Sequence, residues 1–151
     1  MLKRRIRRAR SLLRRAREIG PGGRTLLLKT FWLLLSARIA LACIPVRKII
    51  AWKQRPLPAK PEPPAALLRD QRDRIRHAVL VVARYSPLSF VCFPQCLAAS
   101  ELLRRQGIES RLHYGVARAG DKLVTHTWLE AGGEIVIGGE VAAEYSTLAI
   151  Y

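Results

Sequence analysis

The alternation of apolar and polar positions divides the chain into a helical first part and a stranded last third. Between residues 66 and 85, Leu68, Ile75, Ala78, Val79, Val82 and Tyr85 recur at steps of three and four, which predicts a helix ended by Ser86-Pro87. In the next apolar run, Leu97, Ala98, Ala99, Leu102 and Leu103 form one compact stripe. Pro94 suits a first helical position and Gly107 a C′ stop, so a helix is predicted over 94–106. After Gly107 the period drops to two. Leu112, Tyr114 and Val116 share a face of one strand, Val124, His126 and Trp128 share a face of the next, and Glu134 to Ile137 returns after a tight Gly132-Gly133 turn. Pairing the first set with Trp128, His126 and Val124 places both on one face and leaves His113 on the other with Arg111. Helices followed by antiparallel strands make an α+β fold.

Upstream, residues 25–50 are the most hydrophobic run, interrupted from Leu26 to Ile44 only by Lys29, Thr30, Ser36 and Arg38. That is close to the length of a membrane span. Arg38 near mid-bilayer would cost ~2.5–3.5 kcal/mol, and Lys29 lies on the opposite side of the helix, so a buried or partner-binding helix is expected instead. The run does not have the form of a cleavable signal. Residues 1–24 interleave Ile6, Leu12, Leu13, Ala16 and Ile19 with ten cations, an irregular amphipathic helix that Pro21-Gly22-Gly23 is expected to end. Residues 55–65 hold five prolines in eleven positions and read as an extended linker. The expected organisation is therefore a basic helical segment over 1–54, the linker over 55–65 and a core over 66–151.

Charge sharpens that division. Of the net +16, residues 1–60 carry 17 Lys/Arg against one acid, Glu18, whereas residues 61–151 carry ten cations against ten acids. A basic arm of this kind suits anionic lipid, nucleic acid or an acidic peptide. Nothing after residue 60 shows a basic face with interleaved aromatics, so no nucleic-acid partner is expected; peripheral membrane contact through residues 1–50 is.

Two side chains carry candidate chemistry. Cys92 sits at the mouth of the second helix, where unpaired N–H groups and the positive end of the macrodipole favour a thiolate. Cys96, one turn in, is the rival, and its plainer reading is a small core residue. His126 on the second strand supplies a base, as in thiol proteases. A zinc site on Cys92, Cys96, His113 and His126 is the main alternative, with a basic nucleic-acid- or membrane-binding protein without catalysis as another; the strand register just given keeps His113 from converging. Three cysteines, with Cys43 in the apolar helix, argue against disulfides and for a reducing cytoplasm.

Four runs carry a resemblance: Cys92-Phe-Pro-Gln-Cys-Leu-Ala-Ala99, Leu102-Leu-Arg-Arg-Gln-Gly-Ile108, Leu112-His-Tyr-Gly-Val116 and His126-Thr-Trp-Leu-Glu130. Together they resemble the transglutaminase-like leader peptidase of lasso-peptide biosynthesis, the B or B2 protein, over residues 24–151. The resemblance implies a papain/transglutaminase-like core, with the nucleophile's helix packed on an antiparallel sheet behind an N-terminal arginine-rich helical segment. It makes Cys92 the nucleophile and His126 the histidine of the HAW motif, and it places Cys96 where the family tolerates a small residue. The family's acid, a dozen residues after the histidine, falls in Ile137-Gly138-Gly139-Glu140, with Glu140 as the nearest substitute. It further implies an enzyme that needs no cofactor or metal of its own. Its partners would be the precursor's leader, a separate leader-recognition protein and an ATP-dependent cyclase, ATP being required by that coupled system.

Overall fold

The computed structural model describes residues 21–53 and 64–151, so the arginine-rich stretch before Pro21 and most of the proline-rich linker lie outside the described residues. Four helices come first: α1 (Pro21–Cys43), α2 (Val46–Lys53), α3 (Ala65–Tyr85) and α4 (Cys92–Arg105). A four-stranded antiparallel sheet follows, built from β1 (Arg111–Ala119), β2 (Lys122–Ala131), β3 (Glu134–Ile137) and β4 (Ser146–Ile150), in the order β3-β2-β1-β4. The fold is the α+β, papain/transglutaminase-like arrangement, with the helices against one face of the sheet.

Pro21, Gly22 and Gly23 belong to α1, and the amphipathic helix they were expected to end lies outside the described residues. Proline is tolerated in a first turn because its missing N–H has no intrahelical partner there, so Pro-Gly-Gly alone does not say on which side of it the helix lies. Pro94 follows the same rule: α4 begins two residues earlier than expected, at Cys92, and Pro94 occupies its first turn. The far end of α4 closes as a Schellman motif. Gly107 takes φ 78°, its N–H donates to the Arg104 carbonyl at 3.0 Å, and Ile108 N–H reaches back to Leu103 at 3.0 Å.

The helices on either side of the proline-rich stretch share buried clusters. Ile49 from α2 is buried with Ile75, Val79, Cys96, Leu97, Leu103, Leu112, Leu129 and Ile137, and Leu27 and Leu34 from α1 are buried with Ala78, Val82 and Ala98. Arg38 of α1 donates to the Ser89 carbonyl just before α4. Lys53 of α2 reaches Ser110 O at 2.8 Å and Tyr151 O at 3.2 Å, tying the first helices to the start of β1 and the end of β4.

The strand pairing differs from the expected one by a single residue. Leu112 faces Leu129, His113 faces Trp128, Gly115 faces His126 and Ala117 faces Val124. Leu112 and Leu129 look toward the helices, while His113, Trp128 and His126 share the opposite face. Gly115 explains the slip. A Cβ there would lie 2.7 Å from Trp128 Cζ3, 2.9 Å from Cη2 and 3.0 Å from Tyr145 Cβ, so the indole rests on bare backbone. Matching apolar to apolar in the sequence gives no weight to a glycine, and here the glycine sets the register. β4 carried no expected strand, because its Leu148 and Ile150 are exposed and its pairing with β1 is broken by a bulge at Tyr114/Gly115.

Candidate functional site

Cys92 is the first residue of α4, half-buried, and Val91 before it is extended. Gln95 N–H bonds to the Val91 carbonyl at 3.4 Å and Pro94 has no N–H. The helix mouth therefore presents the N–H groups of Cys92 and Phe93 as its partnerless donors. Cys96, one turn on, is 0% exposed, and its Sγ donates to the Thr127 carbonyl at 3.4 Å. Burial pushes its thiol well above the ordinary range, and the charge of Cys92 adds to the effect. Cys96 is thus a neutral strut that joins α4 to β2. Cys43 is exposed at the end of α1, and all three cysteines are free thiols.

His126 neighbours the residue that Cys96 touches. Its Nε2 lies 2.8 Å from the Gly138 carbonyl. A carbonyl only accepts, so this nitrogen carries the proton and Nδ1 is left as the basic one. Tyr145 and Trp128 flank the ring, with centroids at 5.1 and 6.1 Å. No hydrogen bond joins Cys92 to His126, whose side chain leaves β2 on the face away from the helices.

Gly138 is where the resemblance expects an acid. Its φ of 78° and the 2.8 Å between a built Cβ and the Thr127 carbonyl leave room for glycine alone in this backbone. Glu140, offered as the substitute acid, points elsewhere: its Oε1 lies 3.5 Å from Arg76 Nη2 on the exposed side of α3. The imidazole is thus held by a main-chain oxygen, a group that no side-chain motif can advertise.

His113 was expected on the far face from His126 and shares its face instead. It is buried and stacks on Trp128 at 5.3 Å, with Nε2 3.3 Å from Glu130 Oε2 but without hydrogen-bond geometry. The two histidines are separated by the Trp128 ring, and Cys96 lies on the helical side of the sheet. Among the described residues no three His, Cys, Asp or Glu side chains converge as metal ligands.

The sequence reading passed over Arg72 and Arg76, one turn apart on α3. Arg72 is buried and donates to Ala131 O at 2.7 Å, Gly132 O at 3.3 Å and Glu134 Oε2 at 2.8 Å; Arg76 donates to Val136 O at 3.1 Å. Together they hold the β2–β3 hairpin whose end is Gly138. A buried arginine at that position breaks the apolar stripe rather than extending it, so periodicity counts it as surface.

No curated protein and no solved structure matches the chain. The sequence model of the transglutaminase-like superfamily matches residues 31–149, which takes in the second half of α1, α2 to α4 and all of the sheet but Ile150, and the chain belongs to that superfamily.

Proposed function

We propose that the chain is a cysteine peptidase that removes the leader from a ribosomally made lasso-peptide precursor. The superfamily includes cysteine peptidases, and its fold is associated with cysteine-type hydrolases and transferases. The observation that carries the reading is the contact of Cys96 Sγ with the Thr127 carbonyl. It sets the first turn of α4 beside β2, with Cys92 one turn before the contact on one side and His126 one residue before it on the other. Catalytic hydrogen bonds often tighten only when substrate is bound.

In this reading His126, whose ring leaves β2 on the face away from α4, takes the proton of the Cys92 thiol at Nδ1 through an intervening water, and the thiolate adds to the scissile carbonyl. The Cys92 and Phe93 N–H groups receive the oxyanion. Collapse expels the leaving amine, which takes the proton from the imidazolium, and a thioester remains. His126 then accepts a proton from water, the hydroxide displaces Cys92 and the thiolate is reprotonated. The Gly138 carbonyl fills the orienting role for which Glu140 was the sequence candidate. Leader recognition by a separate protein, ring closure by an ATP-dependent cyclase and a cytoplasmic site of action belong to the same proposal.

The test is cleavage of a lasso precursor in the presence of its recognition protein, followed by mass spectrometry. Cys92→Ala and His126→Ala should each abolish leader release, and the double variant should be no worse than either, because members of one catalytic unit are not additive. Full activity in His126→Ala, or loss in Cys96→Ser with retention in Cys92→Ala, would sink the assignment.

A further inference from the structure

α1 is apolar on every side, yet only one side is packed. Leu27, Thr30 and Leu34 are buried toward α3 and α4. On the opposite side Leu28 is 61%, Trp32 60% and Ile39 54% exposed, with Leu35 half-buried between them. Positions 28, 32, 35 and 39 follow steps of four, three and four, so they form one continuous outward stripe. A helix hydrophobic all round is ordinarily either buried in a core or in contact with lipid. Gly22–Cys43 is long and apolar enough to cross a membrane, and only 17% of its most apolar window is buried. It cannot cross one while Leu27 and Leu34 fill the core of the domain and Arg38 is tied to the Ser89 carbonyl.

Charge selects what covers the stripe. Residues 21–53 contain six Lys/Arg and no acid, and residues 1–60 contain 17 against one. Arg24 and Lys29 lie to either side of the stripe on the helical wheel, where long cationic side chains reach phosphates while their stems cover apolar surface. A second copy of so basic a segment would repel the first, and nucleic acid offers nothing to a row of Leu, Trp and Ile. We propose that the outward face of α1 lies in the plane of an anionic lipid surface, with Leu28, Trp32, Leu35 and Ile39 among the acyl chains and the surrounding cations at the headgroups.

The test uses the full chain with vesicles of phosphatidylglycerol and phosphatidylcholine, against vesicles of phosphatidylcholine alone, in flotation at low and high salt. The chain should float with the anionic vesicles, and the triple variant Leu28→Ser/Trp32→Ser/Ile39→Ser should bind at least about tenfold more weakly, since three apolar side chains no longer enter the bilayer. All three are surface positions, so a thermal melt should show the variant folded, and Cys92→Ala should float like the native chain. Equal binding by the triple variant would assign the attraction to the basic residues alone and overturn the proposal. So would absence of binding to either vesicle, or a dimer in solution that the triple variant dissociates.

Discussion

The Gly138 carbonyl oxygen sits 2.8 Å from Nε2 of His126, where the transglutaminase-like leader peptidases are expected to place an acid. A carbonyl fixes the tautomer as an acid does but brings no negative charge to stabilise an imidazolium. A cysteine enzyme tolerates that loss, because part of the nucleophile is thiolate before the base acts.

The first prediction separates Gly138 from Glu140. Glu140→Gln removes an exposed 3.5 Å ion pair with Arg76, so the cleavage rate should stay within about fivefold of native. Gly138→Ala forces a Cβ to 2.8 Å from the Thr127 carbonyl at a φ of 78°, so the backbone must shift and carry its carbonyl off the ring. The rate should fall about a hundredfold, the scale of a misplaced catalytic group. A large loss in Glu140→Gln with little in Gly138→Ala would return the orienting role to the carboxylate.

Gly115→Ala probes the sheet register. The added methyl meets the Trp128 ring at 2.7 Å, and the ring is wedged between His113 and His126 with nowhere to move. Overpacking of this kind costs about 1–3 kcal/mol, measurable as a lower urea midpoint. An unchanged midpoint would mean that the indole does not rest on Gly115.

How far the sequence reveals the fold is shown by these same residues. Period-two and period-three-to-four patterns find α3, α4, β1, β2 and β3 because each has one apolar face on a common core. They misplace the β1–β2 register by one residue, since both apolar and mixed pairings look acceptable until the bare backbone of Gly115 is seen to seat Trp128. They miss β4, whose apolar residues face outward, and Arg72, whose charge is buried. Cys92 is recognisable because its position before a helix is a sequence property. The partner of His126 is not, because a carbonyl belongs to every residue and only the turn at Gly138 aims this one.

The buried thiol gives a pH prediction. Burial first, and the nearby Cys92 charge second, push Cys96 well above its ordinary value of 9.0. The unfolded chain therefore loses this proton before the folded chain does. The stability tied to the neutral thiol is fully present below about pH 9 and declines as pH rises from there toward the folded value. The urea midpoint of Cys96→Ala should fall less between about pH 8 and 10 than that of the native chain, a window that brackets the ordinary thiol value. Iodoacetamide at pH near 8 should label Cys43 and Cys92 and spare Cys96 until urea unfolds the domain. Rapid labelling of Cys96 in the native state would contradict its burial.

Arg72 tests how the helices hold the site. Its guanidinium donates at 2.7 Å to Ala131 O and at 2.8 Å to Glu134, bridging α3 to both strands of the hairpin that ends at Gly138. Arg72→Ala leaves a buried carbonyl without its donor, and the loss should be about 2–4 kcal/mol in urea unfolding. Arg72→Lys keeps the charge but not the planar fork that serves both acceptors, so it should recover only part of that stability. Arg69, exposed and 3.7 Å from Glu134 Oε1, is the control: Arg69→Ala should change stability by less than about 1 kcal/mol. Because β3 delivers Gly138 to His126, Arg72→Ala should also slow cleavage at temperatures where the protein remains folded, and Arg69→Ala should not. Equal effects of the two substitutions on stability would show that the bridge to Ala131 contributes no more than a surface ion pair.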